Sequence, residues 1–183
     1  MADVFSVLAA DHERIFGLVN QLTGGSALPS GSPKERKAIA DRLVMELSRH
    51  EVAEEMLFWP AVRERAEDGA HMSQVALEQE SNGKRLLNEL AHVTPDNEEF
   101  DTLAHTVAGM LREHISYEQN IVWPKLRLRL STEEAARLGE DIERTERKAP
   151  TRPHPHIPPD PGLLKKIGPA TAVLDKARNA VIR

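Results

Sequence analysis

The chain has 183 residues, 40% of them hydrophobic and 29% charged, with a formal net charge of −5. That length and balance predict one well-buried domain plus a tail, and no apolar run approaches a membrane span. The absence of cysteine removes disulfides, thiolate zinc sites and cysteine nucleophiles together, so any metal must be held by imidazole and carboxylate. The acidic balance and the lack of a basic motif argue against nucleic acid as a partner. The first residues, MADVFSVLAADHER, lack the basic-then-apolar layout of a signal peptide, which points to a cytoplasmic protein.

A first helix is predicted from about Asp3 to Leu22, with Val4, Leu8, Ile15, Val19 and Leu22 as its apolar stripe and His12 filling the gap in it. Thr23 to Gly31 reads as a loop rich in glycine, serine and proline. Ser32, Pro33 and Glu35 supply an N-cap, a proline at the first helical position and a capping-box glutamate for a second helix reaching about Arg65. Pro60 should kink that helix or end it early. Ile39, Leu43 and Leu47 form its stripe, which continues through His50, Glu54, Leu57 and Ala61.

Asp68-Gly69 breaks the chain, and a third helix is expected from about His71 to His92. Its stripe is Ala76, Glu80, Gly83, Leu87 and Leu90, with one carboxylate where an apolar residue belongs. Thr94-Pro95 opens a fourth helix, whose stripe of Phe100, Leu103, Val107 and Met110 leads to His114, Glu118 and Ile121. Ser131 with Glu134 caps a shorter fifth helix ending near Lys148.

From Pro150 to Pro161 six of twelve residues are proline, so this stretch reads as an extended linker. Beyond it Ala170, Val173, Leu174, Ala177 and Val181 suggest a short amphipathic helix. The tail from Pro150 onward carries six basic residues against two aspartates, a local net of +4. It packs on the bundle, meets a second copy in a homodimer, or contacts a membrane surface or acidic partner. His154 and His156 are expected to be solvated.

No strand signal is present, so the fold class is all-α. Four long helices with short connections imply an up-down-up-down four-helix bundle over residues 1–148, followed by the Pro-rich tail over 149–183.

The second and fourth helices repeat one pattern. His50 and His114 are each followed by a glutamate at four positions, a tryptophan at nine and a proline at ten, and the chain has no tryptophan elsewhere. Residues four apart share a helix face, so each pair aims at one point. Both pairs sit on the stripe that faces the core, where an unpaired carboxylate costs several kcal/mol. Histidine and carboxylate on facing helices form the ligand set of a metal site inside a bundle. Beside these pairs His12 reads as a further ligand.

His12, His50-x-x-x-Glu54 and His114-x-x-x-Glu118, with the runs LFWP and IVWP behind the two pairs, resemble the hemerythrin-like family, also called HHE cation-binding domains. The resemblance covers about residues 3 to 148. It implies two irons in the bundle, an oxo- or hydroxo-bridged pair, with Glu54 and Glu118 as bridging carboxylates. His12 and His50 would then serve mainly one iron and His114 the other. Relatives in which the glutamate after the helix-two histidine binds metal point to Glu51, which is otherwise a glutamate at the bundle rim.

The departure from the family is on the third helix, where histidine is expected and Glu80 stands instead, as a ligand or as a solvated helix residue. Carboxylate in place of imidazole adds negative charge, which favours the oxidised metal and lowers its reduction potential. Such a site suits reaction with peroxide or oxygen species in oxidative-stress defence, a catalase- or peroxidase-like activity. The alternative is a protein that binds or senses oxygen, nitric oxide or iron without turnover. Trp59 and Trp123 are expected to form a hydrophobic floor, Glu55 to turn toward the rim, and His92 and His105 to lie on the surface.

Overall fold

Three of the four rods of the bundle begin where a side chain takes over an unsatisfied backbone donor; the rod that follows Asp68 has no side-chain cap. In the computed structural model, which describes residues 2–24 and 31–181, Asp3 accepts a hydrogen bond from the Ser6 N–H and starts α1 (Val4–Thr23). Gly24, left-handed at φ 80°, closes that helix. Most of the predicted loop from Thr23 to Gly31 lies outside the described residues. Ser32 and Glu35 form the expected capping box, and Pro33 opens α2 (Pro33–Ala53).

The second rod continues without a break through a π-helical turn (Glu54–Phe58) into α3 (Trp59–Arg65). Asp68-Gly69 then turns the chain into α4 (Gly69–His92). A Cβ on Gly69 would lie 2.0 Å from the Val62 carbonyl oxygen, so only glycine permits this close turn. The fourth rod starts later than Thr94-Pro95. The Asn97 side chain caps it by accepting the Glu99 N–H, and α5 (Glu98–Tyr117) follows. A second π turn (Glu118–Val122) joins it to α6 (Trp123–Arg127).

In the two π turns the tryptophan N–H reaches back five residues, from Trp59 to the Glu54 carbonyl and from Trp123 to that of Glu118. A proline follows at once in both. It lacks an N–H and crowds the preceding turn, and the widened turn gives it room. Pro60 therefore neither breaks nor ends its rod.

The extra residue in each π turn moves the apolar stripe on by one position, which corrects the straight helical reading. Phe58, Val62 and Val122 are fully buried at 0% exposure, where Leu57, Ala61 and Ile121 were expected; Ile121 is 48% exposed.

Four rods form a ring in which α1 packs on α2 and α5, and α4 packs on α2, α3 and α5. α7 (Thr132–Glu146), capped by Ser131 and Glu134, lies against α1 and α2. Among the described residues there is no strand, and no helix is long and apolar enough to cross a membrane.

The Pro-rich segment is tied down at Asp175 of α8 (Pro161–Val181), whose buried carboxylate accepts the Thr151 and Arg152 N–H groups at 3.0 and 3.1 Å. That anchor turns Leu164 and Ala172 inward, leaving the predicted stripe exposed, with Val173 at 67% and Leu174 at 65%. The Val181 side chain lies outside the described residues.

The apolar interior is divided in two. One cluster gathers Leu8, Phe58, Trp59, Val62, Trp123 and Leu126; the other gathers Ile15, Leu47, Leu87, Val107 and Leu111. On every rod the interval between them is occupied by polar residues: His12, His50 and Glu54, Glu80, and His114 and Glu118.

Candidate metal centre

These polar residues are buried, with exposures from 0% for Glu54 and Glu118 to 6% for His114. They gather in two groups. One ligand atom each from His12, His50, Glu54 and Glu118 lie within 4.8 Å of one another, and the same holds for Glu54, Glu80 and His114. Glu54 belongs to both. Its Oε2 lies 3.4 Å from His50 Nε2 and 4.0 Å from His114 Nε2. Glu118 Oε2 faces His12 Nε2 at 3.1 Å, and Glu80 Oε1 lies 3.8 Å from His114 Nε2.

Whether a cation fits can be judged from what these atoms lack. His12 Nε2, His114 Nε2, both Glu54 oxygens, Glu80 Oε2 and Glu118 Oε2 are buried without a hydrogen-bond partner. Native interiors pair such groups, because each orphan costs on the order of 1–3 kcal/mol. A cation among them would satisfy several at once.

The electrostatics agree. Burial, and then the neighbouring Glu118 and Glu80, push Glu54 well above the usual carboxylate range. Glu80 is raised likewise, by burial and then by Glu55 and Glu51. Burial pushes His114 down to about 4 and lowers His50 as well, so both imidazoles are neutral near pH 7 and keep a lone pair. Glu118 goes the other way: burial raises it, but the His12 imidazole against it and the other two histidines outweigh that. The layer is short of positive charge and rich in neutral imidazole.

The outward nitrogens of His114 and His12 are also met. His114 Nδ1 donates to Gln79 Oε1 at 3.0 Å, which leaves Nε2 unprotonated toward Glu54 and Glu80. The Gln119 amide lies 2.9 Å from His12 Nδ1. Its Nε2 faces the ring, so the amide donates and Nδ1 accepts.

Of the residues singled out in the sequence, His12, His50, Glu54, Glu80, His114 and Glu118 come together. Glu51 is buried too, with burial pushing it up to about 8, yet it stands outside both groups, near Lys84. Glu118 enters one group only, and its Oε1 accepts a hydrogen bond from Trp123 Nε1 at 2.6 Å. His92 and His105 are exposed as expected.

Two expectations are corrected. Glu55 does not turn to the rim: at 2% exposure it pairs with Lys84, because the π turn beginning at Glu54 swings it toward α4. Nor are the tryptophans an inert floor, since Trp59 Nε1 donates to Glu80 Oε1 as Trp123 does to Glu118. Sequence reasoning also missed Asp11, Gln79, Lys84, Gln119 and Glu146. Lys84 had a signal, lying four residues after Glu80 on one helix face.

Comparison with known proteins gives a consistent result. The profile of the hemerythrin HHE cation-binding domain matches residues 3–126. An uncharacterized hemerythrin-like protein of Schizosaccharomyces pombe is 28% identical over 140 residues, which is 76% of this chain and 69% of that protein. A protein of Nostoc named DNA nickase is 23% identical over 150 residues, and there the match spans 82% of this chain but only 41% of the relative. The crystal structure of an HHE cation-binding domain protein from Mycobacterium kansasii superposes with a TM-score of 0.67 at 21% identity. That match covers 96% of this chain and 99% of the other.

Proposed function

The chain belongs to the hemerythrin HHE cation-binding domain family, and from that premise we propose that its core holds two irons and turns them on hydrogen peroxide or a related oxidant. The observation that carries this reading is the sharing of Glu54 between two buried ligand groups. His12, His50, Glu54 and Glu118 would hold one iron, and Glu54, Glu80 and His114 the other, with Glu54 as the bridge. Bound iron would supply the redox equivalents by which peroxide is converted to oxygen and water.

The chain's own residues set the conditions for that chemistry. Gln79 orients His114, and the two indoles hold Glu80 and Glu118 from behind. The apolar clusters on either side keep bulk water out. Three acidic ligands against three imidazoles favour the oxidised metal, which suits an oxidant-consuming site better than a reversible carrier. Glu51 lies outside both ligand groups, near Lys84, whose ion-pair partner is Glu55. The test is oxygen evolution from peroxide by the iron-loaded chain: turnover well above that of free iron is expected, and none above it would remove the proposal.

A second reading, a sensor of oxygen, nitric oxide or iron, is favoured by one contact: α8 packs on the π turn that carries Glu54. Tail protection against protease should then differ between metal-free and iron-loaded protein. Identical digestion patterns would count against it.

A further inference from the structure

A third group of metal-capable side chains lies outside the layer described above. Asp11, His50 and Glu146 bring one ligand atom each within 4.8 Å of one another. His50 Nδ1 is 3.8 Å from Asp11 Oδ2 and 4.0 Å from Glu146 Oε1, both too long for hydrogen bonds. All three atoms are nevertheless buried and have no hydrogen-bond partner. Arg14 binds the other Asp11 oxygen, Oδ1, which leaves Oδ2 directed at the group.

Three atoms at such spacings have a common point about 2.0–2.5 Å from each, within the range at which nitrogen and oxygen ligands hold a divalent cation. A cavity of about 150 Å³ lies beside the group, with Asp11, Glu46, His50 and Glu146 in its wall next to Arg14, Arg49 and Arg147. Glu146 stands on α7, beyond residue 126 where the family match ends. His50 belongs to this group through Nδ1 and to the core group through Nε2.

We propose that Asp11, Glu146 and His50 Nδ1 form a transit site that holds a divalent transition-metal ion on its way into the core. The inference rests on the core binding metal as proposed above. A neutral imidazole has one lone pair, so the outer position uses His50 only while Nε2 is not engaged inside. Filling of the core moves the ring proton to Nδ1 and releases the outer position, which therefore acts in loading and not in the loaded state.

The experiment is stopped-flow absorbance of cobalt(II) uptake by the metal-free full chain. Glu146→Gln should slow filling about tenfold, the scale of a lost electrostatic attraction, and leave the final cobalt count per chain unchanged. Glu143→Gln, an exposed carboxylate on the same helix, should fill as wild type does. Wild-type speed in Glu146→Gln beside a normally filling wild type overturns the transit site alone. A lowered final count in that variant overturns it too, since Glu146 would then belong to the core. A wild-type chain that takes up no cobalt overturns the core assignment and the transit site with it.

Discussion

Trp123 Nε1 donates a 2.6 Å hydrogen bond to Glu118 Oε1 across the π turn that separates the two residues. Without the inserted residue the ring would sit elsewhere on the helix face, so the backbone irregularity and the hydrogen bond are one device. Trp123→Phe keeps most of the ring and removes the donor. It should lower stability by about 1–3 kcal/mol through the orphaned carboxylate oxygen and weaken metal binding roughly 10- to 100-fold. Urea unfolding and chelator competition read the two effects separately.

Glu55 and Lys84 form a buried ion pair beside the metal layer. Burial works against the Lys84 ammonium, but Glu55, Glu51 and Glu80 outweigh it and hold its pKa above the usual value. Removing one partner leaves the other buried and uncompensated, so Glu55→Ala should destabilise the chain by about 3–5 kcal/mol. Glu55→Leu combined with Lys84→Met should restore most of that loss. A double-mutant cycle in urea measures it.

The metal-free chain should grow less stable above neutral pH. Glu51 is pushed up to about 8 by burial. Glu146 is raised to about 8, by burial and then by Asp11. Glu54 and Glu80 also stand well above the usual range. These groups bind protons more tightly folded than unfolded, so their contribution is complete below the ordinary value of 4.5 and drains away as pH climbs through about 8. His114, lowered to about 4 by burial, works in reverse, its contribution being whole above 6.5 and lost as pH falls toward about 4. Above 6.5 only the carboxylate trend remains. Calorimetry should find a lower Tm for the metal-free chain near pH 8 than near pH 6.5, and a smaller fall once metal occupies deprotonated Glu54 and Glu80, since Glu51 and Glu146 still titrate.

Helical periodicity made most of the layer legible. His12, His50, Glu54, Glu80, His114 and Glu118 each occupy a place where the 3.6-residue repeat calls for an apolar side chain, and a polar residue there needs a reason. The π turns left no such mark beyond the prolines at 60 and 124. Their one-residue shift explains why Phe58 and Val122 replaced the expected Leu57 and Ile121 inside, and why Glu55 was assigned to the wrong face. Asp11 and Glu146 were hidden for another reason: they approach His50 from different helices, and only tertiary packing brings α7 back onto α1 and α2. The inward face of α8 was not legible because nothing in the sequence marks Asp175 as the acceptor of the Thr151 and Arg152 N–H groups, the contact that decides which face turns inward.

The central claim is that one buried carboxylate, Glu54, is shared by two cations. Elemental analysis of the chain loaded with ferrous iron under anaerobic conditions tests it most directly, with Glu80→Ala and Glu54→Ala alongside. Two irons per wild-type chain, one in Glu80→Ala and fewer than one in Glu54→Ala is the expected pattern. A single iron in the wild type, or two retained without the Glu54 carboxylate, would contradict it.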